Sequence, residues 1–242
     1  MSLTHEVEGW REYKMEYRNP HREIEPLEKE IEVVDGALQA LKDAEMLPST
    51  EYDLDKFMAF RKFVRENFDI PWTGITPRMQ RLIYAINAIT KPPVMVAVGI
   101  FVGNTFISNA GTAVGPGKVY DAKRLVGIEI EGEPIEKARK NIATIDKNNE
   151  CEIIHADAVE WVAHLDTPID LFYSDANGSY RQILDAALAG KAMRKGTLCM
   201  AHNSVNMPGS VGPYLDLVRD PDKFRQSMNM IIDGEGLEVS LF

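Results

Sequence analysis

Short apolar runs alternate with helix-like segments from Pro93 onward, and this alternation constrains the fold more than any other feature of the chain. Five runs have the length of buried strands: Val94–Val98, Leu125–Ile130, Glu152–His155, Ile169–Ser174 and Thr197–Ala201. The segments with helical spacing between them are Asn104–Ala110, Pro134–Ile145, Val159–Leu165 and Tyr180–Met193. Strands that alternate with helices predict an α/β fold, in which a mostly parallel sheet is covered on both faces.

The last stretch of the chain departs from this alternation. Ser227–Ile232 and Leu237–Phe242 are strand-like, and the turn residues Asp233-Gly234-Glu235-Gly236 join them. Two such runs around a short glycine turn predict a β-hairpin. Because a hairpin at the end of a parallel sheet reverses one strand, we predict a doubly wound, mostly parallel sheet with an antiparallel C-terminal hairpin strand.

The residues before the alternation are predicted to be helical. Apolar residues recur there at steps of four and three, which is the spacing of one helix face. They are Leu27, Ile31, Val34, Leu38 and Leu41. A second helix is predicted after Asp53, and Thr76-Pro77 has the pattern of an N-cap before the first helical residue. We therefore predict an N-terminal helical segment, residues 1–75, that packs on a main domain, residues 76–242.

Charge and composition exclude several classes of partner. The chain has 242 residues and a net charge of −10, whereas proteins that bind nucleic acids usually present a basic surface. No apolar stretch in the sequence approaches the ~20 residues that a membrane span needs. Cys151 and Cys199 stand in separate apolar runs without metal-site spacing, which is typical of free thiols in a reducing cytosol. We expect a cytoplasmic protein with neither nucleic acid nor membrane among its partners.

Ligands of open α/β sheets bind beyond the carboxyl ends of the strands, so the residues that follow each strand are the candidate site. Gly99–Thr105 follows the first strand, and its glycines let the backbone approach a ligand closely. Glu129 ends the second strand, where a carboxylate can accept both ribose hydroxyls of a nucleoside. Asp157 follows the third strand and can meet an adenine amino group. Together these segments predict a nucleoside site.

A dinucleotide site, and with it a nucleotide-dependent oxidoreductase, is the alternative. The spacing here is Gly99-x-x-x-Gly103, and the G-x-G-x-x-G fingerprint of pyrophosphate sites is absent from the sequence. A sulfonium nucleoside has no phosphate and does not need the third glycine. A plain strand–helix turn would also explain the glycine pair, but Glu129 and Asp157 at successive strand ends argue against it.

Five motifs occur in a fixed order: Val96–Thr105, Val126–Glu131, Asp170–Ala176, Met200–Val205 and Asp233–Ser240. On these motifs the chain, over its last two thirds, resembles the cation-dependent O-methyltransferases, the group of catechol and caffeoyl-coenzyme A O-methyltransferases. The resemblance implies a Rossmann-like methyltransferase domain. It also implies transfer of a methyl group from S-adenosylmethionine (SAM) to a small-molecule acceptor, at a hydroxyl oxygen and with metal assistance. A homodimer is suggested by the resemblance alone.

The resemblance also assigns residues to the site. Those for cofactor binding are Gly99, Phe101, Gly103, Thr105, Glu129, Ile130, Asp157, Ala158 and Asp175. The metal ligands would be Asp175, His202 and Asn203, with Asp175 and His202 as the catalytic residues. Trp72 and the segment Asn206–Tyr214 are candidates to line or cover the acceptor pocket. We expect the N-terminal helices to contribute to the acceptor side or to a subunit contact.

Three positions depart from the family pattern. Ala97 stands where the family usually has an acidic residue, Gly178 replaces a lysine that helps to deprotonate the acceptor, and His202 replaces an aspartate. An imidazole in place of a carboxylate removes one negative charge and makes the ligand set softer. We therefore expect a divalent transition metal to be favoured over Mg²⁺.

Three roles stay open for His202 from the sequence. It can be a metal ligand, a metal-free general base, or a hydrogen-bonded structural histidine in a site that has lost its metal. Gly178 in place of the lysine also leaves a second class of function open. That class is a methyltransferase relative that acts on nitrogen or carbon, or that binds the cofactor without catalysis.

Overall fold

The computed structural model describes residues 2–20 and 22–242 of the chain. The N-terminal part consists of a strand, β1 (Ser2–Glu6), and three helices, α1 (Leu27–Asp43), α2 (Leu54–Asn67) and α3 (Pro77–Thr90). The three helices agree with the prediction. Strand β1 corrects it, because the first residues of a segment expected to be helical are extended.

The α/β part begins at Val94. Its first half contains β2 (Val94–Val98), α4 (Asn104–Ala110), a short 3₁₀ helix (Gly115–Gly117), β3 (Arg124–Glu129), α5 (Gly132–Ile145), β4 (Cys151–His155) and α6 (Ala158–Ala163). Its second half contains β5 (Ile169–Ser174), α7 (Tyr180–Ala189), β6 (Met193–His202), α8 (Pro208–Val218), β7 (Gln226–Ile231) and β8 (Leu237–Leu241). None of the helices in the described ranges is both long enough and apolar enough to cross a membrane.

One sheet holds the eight described strands, in the order β1-β7-β8-β6-β5-β2-β3-β4. Strand β8 runs antiparallel to both of its neighbours, and every other pairing is parallel. The predicted doubly wound sheet with an antiparallel C-terminal hairpin strand is therefore confirmed. Strand β1 extends the sheet beyond the prediction, because Ser2–Glu6 pairs residue by residue with Ser227–Ile231.

Helix α8 is a second feature that the sequence analysis missed. Gly209, Gly212 and Pro213 made this stretch look like a loop, but it is helical from Pro208 onward. Proline suits the first turn of a helix, where its missing N–H has no helical partner. The buried residues Val211, Tyr214, Leu215 and Val218 recur at steps of three, one and three and form one helix face. Burial of that face outweighs the low helix propensity of glycine.

The core lies in two layers, one on each face of the sheet. Side chains alternate along β2, so that Met95 and Ala97 join the layer with α1 to α5, whereas Val96 and Val98 join the layer with α6 to α8. This alternation follows from the two-residue period of a strand. Because both faces are covered, only the strand ends and the loops that follow them are free to form a ligand site.

A buried ion network ties the three N-terminal helices together. Glu30 of α1 accepts from Arg61 of α2 at 2.9 Å and from Arg81 of α3 at 2.5 Å. All three side chains are at most 6% exposed. A buried charge is tolerated only when it is paired, so these contacts fix how the helices pack.

Candidate functional site

One cavity of 870 Å³ lies at the carboxyl ends of β2, β3, β4, β5 and β6. Most of the residues predicted to form the site line it. They are Gly99, Phe101, Thr105, Glu129, Ile130, Asp157, Ala158, Asp175, His202 and Asn203. Gly103 is placed differently, because it packs against α5, where a Cβ on it would lie 3.4 Å from the Cα of Ala138. It is the N-cap of α4, where its φ of 94° favours a residue without a Cβ.

The turn after β2 is shaped by positive backbone angles. Gly99 has a φ of 74°, and Phe101 has a φ of 49°. The amides of Gly99 and Ile100 both donate to the carbonyl oxygen of Ile128, at 2.9 and 3.3 Å. This turn therefore stays against β3 and directs the Phe101 amide towards the end of that strand.

Glu129, the last residue of β3, is 7% exposed, and three backbone amides hold its carboxylate. Its Oε2 accepts from the Phe101 amide at 2.6 Å, and its Oε1 accepts from Ile130 and Glu131 at 2.9 and 3.1 Å. Hydrogen bonds to an ionised acceptor are stronger than those between neutral groups. The carboxylate is therefore fixed at the cavity wall before any ligand arrives.

The far end of the cavity combines an exposed apolar side chain with a helix cap. Ile130 is 58% exposed, which is unusual for a large aliphatic residue, and it lines the cavity. Asp157 caps α6, and its Oδ1 accepts from the Val159 amide at 2.8 Å. An apolar surface beside a polar acceptor suits the flat face and the amino edge of an adenine ring.

Asp175 follows β5 and faces three side chains. Its Oδ2 accepts from the Thr105 hydroxyl at 3.2 Å and lies 3.5 Å from Nδ1 of His202. Its Oδ1 accepts from the Tyr180 hydroxyl at 3.4 Å. Thr105 belongs to α4, which follows the glycine turn, so Asp175 connects that turn to His202 at the end of β6.

His202 ends β6 and is 1% exposed, although it lines the cavity. Burial is the strongest influence on it and lowers the pKa of the imidazole. The carboxylates of Asp175, Asp233 and Glu235 together raise the pKa by more than burial lowers it, so the pKa of His202 lies above its ordinary value of 6.5. The other ring nitrogen, Nε2, is buried and has no hydrogen-bond partner among the described residues.

Asn203 and Tyr180 complete this wall. The Tyr180 hydroxyl donates to Oδ1 of Asn203 at 3.1 Å, and the Asn203 amide donates to Asn206 at 3.1 Å and to Glu235 at 3.2 Å. Asn203 has a φ of 67°, which turns the chain back after β6. The Tyr180 hydroxyl therefore connects Asp175 to Asn203.

The side chains do not fit the predicted metal site of Asp175, His202 and Asn203. The Tyr180 hydroxyl lies between the two oxygens that would have to share an ion. Burial and then the charge of Asp175 raise the pKa of Tyr180 far above its usual range, so it is a neutral donor and not an anionic ligand. Within residues 2–20 and 22–242, no group of three His, Cys, Asp or Glu side chains is arranged to hold an ion. The three-ligand site stays a prediction without support from this arrangement.

Residues from the N-terminal part also line the cavity. The Tyr17 hydroxyl donates to Oε1 of Glu235 at 2.6 Å, and Tyr17 and Arg18 both line the cavity. Trp72, which the sequence marked as a pocket candidate, also lines it and packs on Phe101 with ring centroids 4.7 Å apart. Tyr17 was not predicted from the sequence, because no motif surrounds it. Glu235 lies in the quoted hairpin motif, which was the only signal available for it.

Neither a protein-family model nor a curated protein sequence matches the chain. Solved structures do match it. The O-methyltransferase from Bacillus cereus, in complex with S-adenosylhomocysteine (SAH), superposes with a TM-score of 0.57 at 17% identity, over 87% of this chain and 99% of that one. The SAH-bound methyltransferase PaMTH1 from Podospora anserina gives a TM-score of 0.59 at 14% identity, over 91% and 99%.

A third structure is the O-methyltransferase TomG from Streptomyces achromogenes in complex with SAM. It matches with a TM-score of 0.56 at 20% identity, over 80% of this chain and 92% of that one. At these identities the likeness shows the fold. The chain therefore has the Rossmann-like fold of SAM-dependent methyltransferases.

Proposed function

We propose that this protein transfers a methyl group from SAM to a hydroxyl oxygen of a small-molecule acceptor. The observation that carries the proposal is the Glu129 carboxylate, which three backbone amides fix at the wall of the cavity that also holds Asp175 and His202. One ribose-binding group and one set of polar acceptor-side groups thus share a single space. The resemblance in fold to SAM- and SAH-bound proteins supports the same assignment.

Different residues along the cavity contact different parts of SAM and of the acceptor. Glu129 receives the ribose hydroxyls, Ile130 and Asp157 contact the adenine, and the turn from Gly99 to Thr105 supports the methionine end. The acceptor lies between Trp72 and His202. Methyl transfer is an in-line displacement on a sulfonium carbon, so holding the acceptor oxygen about 3 Å from that carbon supplies much of the rate.

A nucleotide-dependent oxidoreductase is the weaker alternative. Its pyrophosphate would need a helix N-terminus at the glycine turn with the backbone open to it. Here the Phe101 amide in that turn already donates to Glu129. A methyltransferase relative that acts on nitrogen or carbon is a further alternative, and it would give a different methylated product. A relative that binds SAM without catalysis would give no methylated product.

Calorimetry and product analysis test the proposal. Titration with SAM, SAH, NAD⁺ and NADP⁺ should give binding for the first two alone. Incubation with SAM and a panel of hydroxylated, amino and carbon-nucleophile acceptors should yield methyl ethers, detected by mass spectrometry. Tight NAD⁺ binding would overturn the proposal, and so would SAM binding with methylated products only from amines.

We also propose a cytoplasmic location and a homodimer. Cys151 and Cys199 are both free thiols, which suits a reducing compartment. The dimer rests on the resemblance to the cation-dependent O-methyltransferases alone. Light scattering coupled to size-exclusion chromatography tests it, and a single monomer peak across concentrations would contradict it.

A further inference from the structure

Two side chains that line the cavity, Asp175 and His202, form a pair. Nδ1 of His202 lies 3.5 Å from Oδ2 of Asp175, and Nε2 on the opposite side of the ring is buried without a partner among the described residues. Because a buried polar atom without a partner is costly, a ligand that donates a proton to this nitrogen would be favoured.

The surroundings of the pair hold it in this orientation. Thr105 donates to one oxygen of Asp175 and Tyr180 to the other, so the carboxylate is fixed from both sides. Gly74 lies against the ring, and a Cβ there would be 3.5 Å from Cε1 of His202. Gly74 lines the cavity as well, so the imidazole edge beside it borders that space.

We propose that His202, positioned by Asp175, is the general base that receives the acceptor's hydroxyl proton, so that no divalent metal is needed for this step. The inference rests on the proposed methyl transfer and deepens it. It replaces the metal site predicted from the sequence, because the Tyr180 hydroxyl lies between the oxygens of Asp175 and Asn203 that would bind the ion.

As the acceptor oxygen attacks the methyl carbon, its proton moves to Nε2 of His202 and an O–C bond forms. The C–S bond of SAM breaks, and its electron pair returns to sulfur to give SAH. The resulting imidazolium is stabilised by Asp175 and by the nearby carboxylates Asp233 and Glu235, before the proton leaves to solvent. A carboxylate that orients and supports a histidine base is a recurrent arrangement.

The first experiment measures turnover of His202→Gln against wild type with two acceptors, an ordinary phenol and an acidic phenol that is already ionised at the assay pH. General-base catalysis supplies about 10²–10⁴-fold. We expect a loss of that size with the ordinary phenol and a much smaller loss with the ionised one. SAH affinity should be unchanged in the variant. Equal losses with both acceptors would overturn the base role, because a merely structural defect does not depend on acceptor pKa.

The second experiment needs no turnover. Wild-type protein saturated with SAH is titrated by calorimetry with Mn²⁺, Zn²⁺ and Mg²⁺. The variants Asp175→Asn and His202→Asp are titrated in the same way. His202→Asp restores the ligand types of the family that the chain resembles. We expect no stoichiometric ion in wild type. One ion per chain that Asp175→Asn abolishes would overturn the inference while leaving methyl transfer intact. Failure of SAH to bind at all would instead count against the proposed function.

Discussion

A Cβ atom on Gly99 would lie 2.3 Å from the backbone carbonyl oxygen of Asp175, closer than side-chain atoms approach a carbonyl. The turn after β2 and the turn after β5 therefore touch backbone to backbone. The Asp175 amide also donates a hydrogen bond to the carbonyl oxygen of Val98 at 2.9 Å. This approach places Asp175 within reach of Thr105 and joins the cofactor turn to the acceptor side.

Replacing Gly99 with alanine should separate the two turns. The positive φ alone costs about 1–2 kcal/mol for a residue with a Cβ, and the clash with Asp175 should add to it. Gly178→Ala is the matched control, because Gly178 has a φ of 83° and open space around it in the described chain. Urea denaturation should show the larger loss for Gly99→Ala, together with weaker SAH binding. Equal losses in the two variants would mean that the close approach is unimportant.

Glu129→Ala should weaken SAM and SAH binding by about 1–3 kcal/mol, because the ribose hydroxyls lose their acceptor and three backbone amides lose theirs. Glu133→Ala removes the same charge from an exposed position on the first turn of α5 and should leave affinity unchanged. Calorimetry of the two variants side by side makes the comparison. Unchanged affinity in Glu129→Ala would remove the ribose assignment.

Tyr17→Phe should affect the acceptor and spare the cofactor. The hydrogen bond to Glu235, followed by burial, raises the pKa of Tyr17 to about 12, so the hydroxyl remains a donor under assay conditions. Without it the segment around Tyr17 loses its side-chain hydrogen bond to Glu235 of the C-terminal hairpin. We expect a higher KM for the acceptor and an unchanged Kd for SAH. Tyr120→Phe is a control, because the Tyr120 hydroxyl bonds to the Pro92 carbonyl away from the cavity. A change in SAH affinity for Tyr17→Phe would contradict this division.

Glu30→Gln should destabilise the fold by about 3–5 kcal/mol, because Arg61 and Arg81 would then be buried without a counter-charge. Glu32→Gln removes the same charge from the exposed pair with Lys29 and should cost less than about 1 kcal/mol. Denaturant unfolding of both variants measures the difference. Similar losses in the two would show that the buried network contributes little.

The same network should make stability fall in acid. Burial, the largest influence, raises the pKa of Glu30, but Arg61 and Arg81 outweigh it and bring the pKa below its ordinary value of 4.5. A lowered pKa contributes stability that is present above 4.5 and lost as the pH falls through the folded-state pKa. The difference in unfolding free energy between wild type and Glu30→Gln should therefore narrow below pH 4.5. A constant difference across that range would exclude this linkage.

The sequence by itself determined the elements whose signal is local. Strands β2 to β6 were predicted from short apolar runs, and α4 from its position after the glycine turn, because a strand or helix that packs on a sheet carries its own period. The carboxylate of Glu129 was found in the same way, since the end of a buried strand is visible as the end of an apolar run. Helix α8 had such a signal too, in its buried face, but its glycines obscured it.

Only the tertiary structure decided the contacts between residues far apart in the chain. Ser2–Glu6 is a strand because the edge of β7 offers it hydrogen bonds, and five residues have no strong preference of their own. Tyr17 meets Glu235 across 218 positions of sequence, and Tyr180 takes the place between Asp175 and Asn203 that the motif suggested for a metal. Residue types and spacing predict which side chains lie at a strand end. The hydrogen-bond partners of those side chains depend on how distant segments pack, so no local sequence pattern predicts them.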